Sequence, residues 1–142
     1  MGVTVGDQIL LHVEDEDVIA FMLETAISES DPQVRVCRVS DGEEALAFLH
    51  QTGKHSNAPR PDLILLDLGL PRRNGFEVLA EIQGNTGLRS LPVVVFSSSS
   101  LPSDRRKSLE LGALDFITKR SSLQGMTEAI RQVCAYFPKH LT

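Results

Sequence analysis

The chain has 142 residues, the length of one domain with a sizeable core. A hydrophobic fraction of 42%, a charged fraction of 23% and a net charge of −5 are those of an ordinary soluble globular chain and exclude a nucleic-acid coat. No stretch reaches the roughly 20 apolar residues of a membrane span, and the start MGVTVGDQ carries no basic region or signal-peptide pattern. The expected compartment is therefore the cytoplasm.

Five apolar runs read as strands: Gln8–Val13, Gln33–Val39, Leu63–Leu66, Val93–Phe96 and the short Phe116–Thr118. Helical spacing falls between and after them. Val18–Ile27 offers Val18, Phe21, Met22 and Ile27 as core candidates, and Glu43–His50 offers Ala45, Leu46, Phe48 and Leu49. Phe76–Gln83 carries Val78, Leu79 and Ile82; Ser103–Leu111 is the most polar helix; Leu123–Phe137 repeats Leu123, Met126, Ile130, Val133 and Phe137. Asp41-Gly42, the loop GKHSNAPRP from Gly53 to Pro61, Asn74-Gly75, Gly84–Gly87 and Gly112 punctuate these segments. Arg105, Arg106 and Lys107 read as a solvated helix face. Two separated cysteines, Cys37 and Cys134, read as apolar fillers in a reducing compartment, not as a disulfide or metal site.

Strict alternation of apolar strands with helices predicts a parallel sheet covered on both faces. Five strands and five helices fit an α/β, flavodoxin-like, doubly wound (βα)5 fold with strand order 2-1-3-4-5. In such a sheet the ligand site lies beyond the carboxyl ends of the strands. The exits there are Glu14-Asp15 after strand 1, Asp67 after strand 3, Ser97 after strand 4 and Lys119 after strand 5. Singly, each has an ordinary explanation as a cap, a turn or a surface charge. Jointly they place three carboxylates beside one ammonium and one hydroxyl, and clustered like charges raise one another's pKa. Such a cluster calls for a cation. His12, His50, His55 and His140 are dispersed, which excludes a zinc constellation, and His12 reads as a packed core histidine. Carboxylates with room for water suit Mg²⁺, with Mn²⁺ as an acceptable substitute. A carboxylate beside Mg²⁺ can accept a phosphoryl group, with Lys119 and Ser97 holding its other oxygens.

The stretches ILLHVEDE, PDLILLDLGLPRRNG, PVVVFSSS and GALDFITK, in this order, resemble the receiver domain of two-component response regulators. The likeness runs from about Gln8 to Phe137. It implies a domain over residues 8–137, short tails at 1–7 and 138–142, and no output domain. It implies that Asp67 is the phosphoacceptor for a kinase phosphohistidine, and that Asp15, Glu14, Asp67 and the Gly69 carbonyl serve the metal. Ser97 and Lys119 would bind the phosphoryl group, Phe116 with Ser97 would form the switch, and Pro71 and Gly75 would shape the loop. Gly69 and Ser99 occupy positions that tune phosphate lifetime in the family. The partner implied is a sensor histidine kinase. The long loop before strand 3 resembles that of the small regulators paired with phytochromes, which makes a phytochrome kinase the specific expectation.

Output would be protein–protein contact through helix 4, strand 5 and helix 5, where a homodimer is one outcome and Cys134–Phe137 a contributing patch. Slow self-dephosphorylation, not turnover, is the expected activity. One departure is Arg120, where the family has a proline after the lysine, often in a cis peptide bond; a cis bond before a non-proline residue costs about 2.5–4 kcal/mol, and the sequence leaves the Lys119–Arg120 isomer open. A competing reading is a pseudo-receiver that acts as a constitutive scaffold. A phosphohydrolase would need an acid two residues after Asp67, where Gly69 stands.

Overall fold

The structure, a computed structural model, describes residues 7–138. The remainder of the two expected tails, residues 1–6 and 139–142, lies outside the described residues. The strands are β1 (Gln8–Val13), β2 (Val34–Val39), β3 (Leu63–Leu66), β4 (Val93–Ser97) and β5 (Asp115–Thr118). The helices are α1 (Asp17–Ser30), α2 (Gly42–His50), α3 (Gly75–Gln83), α4 (Pro102–Glu110) and α5 (Leu123–Cys134). All strand pairs are parallel, in the order β2-β1-β3-β4-β5. The flavodoxin-like order expected from the sequence is the one observed.

Two cores flank the sheet because successive side chains of a strand point to opposite faces. Leu11, Val13, Ile64, Leu66, Val93 and Val95 join α2 and α3 on one face. Leu10, Leu63, Leu65, Val94 and Phe96 join Leu23 and Ile27 of α1 and Met126, Ile130 and Val133 of α5 on the other. β3 is buried at all four positions, which explains why its sequence is an unbroken apolar run.

Local chemistry starts the helices where the sheet needs them. Asp41 accepts the Glu44 N–H at 2.7 Å at the start of α2. Asn74 and Glu77 form a reciprocal capping box on α3, both bonds 3.0 Å. Ser122 accepts the Gly125 N–H at 2.9 Å at the start of α5, and Pro102 opens α4. Gly42 lies so close to Arg73 that a Cβ there would strike the Arg73 carbonyl, which docks the start of α2 against the loop after β3. Arg105 of α4 donates to the Phe116 carbonyl at 3.0 Å, and the Tyr136 hydroxyl donates to Asp115 at 2.7 Å. These two bonds tie both flanking helical segments to edge strand β5.

Three expectations need correction. Val18 and Phe21 are 69% and 71% exposed, because α1 turns Ala20, Leu23 and Ile27 to the sheet instead. Leu123 is likewise exposed, at the first turn of α5. α5 ends at Cys134, and Phe137 reaches the core from the turn beyond it. The cysteines are half-buried, and burial followed by the Asp31 charge pushes the Cys134 thiol up to about 12. The loop after α2 contains one 3₁₀ turn, Gly53–His55.

That loop is held by Glu44. Its carboxylate accepts the Ser40 N–H at 3.0 Å and lies 3.1 Å from Lys54 Nζ and 3.2 Å from His55 Nε2. Burial alone would raise the Glu44 pKa; the Ser40, Lys54 and His55 contacts outweigh it and hold it near 2, against 4.5 for a free glutamate. A lowered acid pKa stabilises the fold above about pH 4.5, and that contribution fades as pH falls towards 2. Glu44→Gln should therefore lower unfolding free energy by roughly 1–2 kcal/mol at pH 7, allowing for solvent screening. In urea titrations the variant and the parent should converge near pH 2.

Candidate functional site

The carboxyl ends of the strands converge as the sequence predicts. Glu14, immediately after β1, is fully buried, and Asp15 beside it is exposed. Asp67 leaves β3 at 6% exposure, and Ser97 ends β4 at 4%. Glu14, Asp15 and Asp67 each offer a carboxylate oxygen, and these lie within 4.8 Å of one another. Asp15 and Asp67, with Ser97 and Lys119, border an open cleft of about 540 Å³, and the fully buried Glu14 does not line it.

Lys119 is the hub of this cluster. Its N–H donates to the Ser97 carbonyl at 2.8 Å, which pins its backbone to the end of β4. Its side chain then reaches across the strand exits. Nζ donates to Glu14 Oε2 at 3.0 Å, lies 2.9 Å from Glu14 Oε1 and 3.3 Å from Asp67 Oδ2, and reaches Glu16 at 3.5 Å. The 2.9 Å contact is ionic without hydrogen-bond geometry, so buried Glu14 Oε1 has no hydrogen-bond partner. Asp67 Oδ1 accepts the Gly69 N–H at 3.3 Å.

Burial dominates the electrostatics. It pushes Glu14 up to about 7, against the opposing pull of Lys119. It also raises Asp67, again opposed by Lys119 and reinforced slightly by Asp15. For Lys119 burial favours the neutral amine, but the hydrogen bond to Glu14 and the Asp67 charge outweigh it and hold the ammonium. One ammonium does not balance three acids. The unmatched charge, the all-oxygen donor set and the unpartnered Glu14 oxygen fit a hard divalent cation, Mg²⁺ or Mn²⁺, that keeps part of its water.

The remaining expected residues fall around this centre. Gly69 stands in open space, where an added Cβ would meet nothing within 4 Å. The Pro71 carbonyl accepts the Arg73 N–H at 2.8 Å and closes the loop after β3. Gly75 opens α3 directly behind Asp67: a Cβ there would strike the Asp67 carbonyl and come within 2.7 Å of the Leu68 Cα. Phe116 is 6% exposed and packs into the core on the α2–α3 face. The Lys119–Arg120 bond is trans, as are all peptide bonds among the described residues.

Several contacts were not anticipated. Ser97 Oγ accepts the Ser99 N–H at 3.1 Å, and the Ser99 hydroxyl donates to Asp104 at 2.6 Å, linking the site to the first turn of α4. Arg38 of β2 donates to the Glu14 carbonyl at 2.9 Å and to Asp17 at 2.8 Å, bracing the loop after β1.

Over residues 10–131 the chain matches the family described as the response regulator receiver domain. The chain belongs to this family. The receiver domain is 35% identical to Response regulator Rcp1 of Synechocystis sp. over 135 residues, which are 95% of this chain and 92% of Rcp1. Among solved structures it resembles the phosphorylated cyanobacterial phytochrome response regulator RcpA, with a TM-score of 0.87 and 37% identity; the match covers 93% of this chain and 94% of RcpA. It also resembles the Mn²⁺-bound form of Rcp1, with a TM-score of 0.86 and 35% identity over 95% of this chain and 97% of the other. The acidic pocket of this receiver domain is a divalent-cation site, for which Mg²⁺ is typical of the family.

Two glycine substitutions separate loop shape from mere presence in the cleft. Gly75→Ala in this receiver domain should lower stability by about 1–3 kcal/mol, since the clash is with backbone. Gly69→Ala, facing open space, should stay within about 0.5 kcal/mol of the parent. Thermal denaturation of both variants measures the contrast.

Proposed function

We propose that the chain is a response regulator that accepts a phosphoryl group on Asp67 from a sensor histidine kinase and signals by phosphorylation-dependent protein contacts. The observation that carries this reading is Asp67 at the exit of β3, with Lys119 at 3.3 Å and the acids Glu14 and Asp15 beside it. An Asp67 oxygen attacks the phosphorus of a phosphohistidine as the N–P bond breaks, and the leaving imidazole takes up a proton. Glu14, Asp15, Asp67 and the Gly69 carbonyl would hold the cation, which would supply positive charge against the phosphoryl oxygens. Lys119 and the Ser97 hydroxyl hold the remaining oxygens, where charge spreads in the transition state.

Readout follows from what those contacts displace. Ser97 turns towards the phosphoryl group, and Phe116 with the Arg105-bound edge of β5 responds. The α4–β5–α5 face is the output surface. It meets a downstream protein or a second copy of the chain. Hydrolysis of the phosphorylated aspartate is slow and spontaneous rather than a turnover activity, and the protein works in the cytoplasm. Similarity to RcpA and Rcp1 supports a phytochrome-type kinase as the partner.

Incubation with Mg²⁺ and acetyl phosphate should add one phosphoryl group, seen by intact-protein mass spectrometry, and Asp67→Asn should add none. Wild type that binds Mg²⁺ yet gains no mass refutes the reading. Lys119→Ala should still bind Mg²⁺ but acquire the phosphoryl group on the order of 10²-fold more slowly.

A further inference from the structure

Among the described residues, His12 is the one buried titratable side chain beside the site that the proposed chemistry leaves unused. It is 1% exposed, on β1, with Arg38 of β2 and Leu65 of β3 as its register neighbours. Its Nε2 lies 3.8 Å from Glu14 Oε1, and Glu14 is fully buried. Neither ring nitrogen of His12 has a hydrogen-bond partner, and neither does Glu14 Oε1. Leaving buried polar atoms unpaired is costly, and an aliphatic side chain at this strand position would leave no ring nitrogen without a partner. The separation exceeds hydrogen-bond range, because the Lys119 ammonium, 2.9 Å from Oε1, already holds the carboxylate.

We propose that His12 is a positioning residue for the metal-ligating carboxylate: an Nε2–H donor that takes over Glu14 Oε1 when Lys119 lets go of it. The inference rests on the roles given to Glu14 and Lys119 above. A divalent cation among Glu14, Asp15 and Asp67 would repel the ammonium from Glu14, and a phosphoryl group on Asp67 would give the ammonium a new partner. Glu14 Oε1 would then be a buried carboxylate oxygen with no donor. His12 stands behind it, and a movement of less than 1 Å closes 3.8 Å to an ordinary N–H···O bond. Partners of this kind orient metal-ligating side chains, and their loss typically weakens metal binding tenfold or more. Arg38 Nε braces the same residue by donating to the Glu14 backbone carbonyl at 2.9 Å. The Glu16 N–H donates to Glu14 Oε2 at 3.2 Å, so Oε1 is the oxygen left to Lys119 and His12.

The test is calorimetric titration of the full chain with Mg²⁺ alone, with thermal denaturation in metal-free buffer alongside. His12→Leu should weaken Mg²⁺ about tenfold while its metal-free Tm equals or exceeds that of wild type, since a buried unpaired imidazole has been removed. His12→Gln, which keeps an N–H donor, should recover most of the affinity. Unchanged Mg²⁺ affinity in His12→Leu overturns the proposal, and so does a parallel loss of affinity and Tm that His12→Gln does not relieve. Should neither variant fold, ¹⁵N imidazole spectra of wild type decide: an Nε2-bound proton whose resonance moves on Mg²⁺ addition supports the bond, and an unmoved one refutes it. No phosphoryl donor is present, so the outcome stays separate from whether Asp67 is phosphorylated.

Discussion

The reach of Lys119 across the carboxyl ends of the strands is the interaction on which the site depends. Glu14 and Asp67 would otherwise be buried acids with no counter-charge, and burial already drives both towards the protonated form. The strand order makes the reach possible. β5 lies at one edge and β1 beyond β3, so the lysine must pass over the end of β4, where the small, buried Ser97 leaves room. The bond from the Lys119 N–H to the Ser97 carbonyl fixes the starting point of that span. Sheet order, the size of one residue and one backbone bond thus place a positive charge among three negative ones.

The same arrangement makes the site a compromise. Its ion pairs are short, yet they do not satisfy every polar atom: Glu14 Oε1 and both nitrogens of His12 lack partners, as do Arg38 Nη2 and Arg73 Nε outside the cleft. Away from it the chain follows local rules closely. Caps open α2, α3 and α5, and each sheet face has its own apolar core. Order in the body of the fold allows an unbalanced cluster to persist at its edge, which is where a divalent cation can restore the balance.

How much of this was legible in the sequence depended on the kind of signal. The strands were, because strands of a parallel sheet are buried on both faces and read as unbroken apolar runs; β1 and β3 have the expected bounds. The site was legible because strand exits share one edge, so residues far apart in sequence had to meet. The facing of α1 was not. Val18, Phe21 and Met22 compete with Ala20, Leu23 and Ile27 for the core, and a helix apolar on most sides leaves the choice to tertiary packing. The Ser99–Asp104 bond and the bracing by Arg38 were also invisible, since both are side-chain contacts between segments that carry no pattern. His12 was correctly placed in the core, but its nearness to Glu14 belongs to the fold, not to the spacing.

The bond between Tyr136 and Asp115 has an optical consequence. The chain holds one tyrosine and no tryptophan, so its near-ultraviolet emission arises from Tyr136 and from very little else. That phenol donates to a carboxylate at the start of β5 at 2.7 Å, and the same carboxylate lies 3.9 Å from Arg105 of α4. The protein thus carries its own fluorophore at the junction of α4, β5 and the end of α5. Rearrangement of that junction is a spectroscopic event, readable without a label.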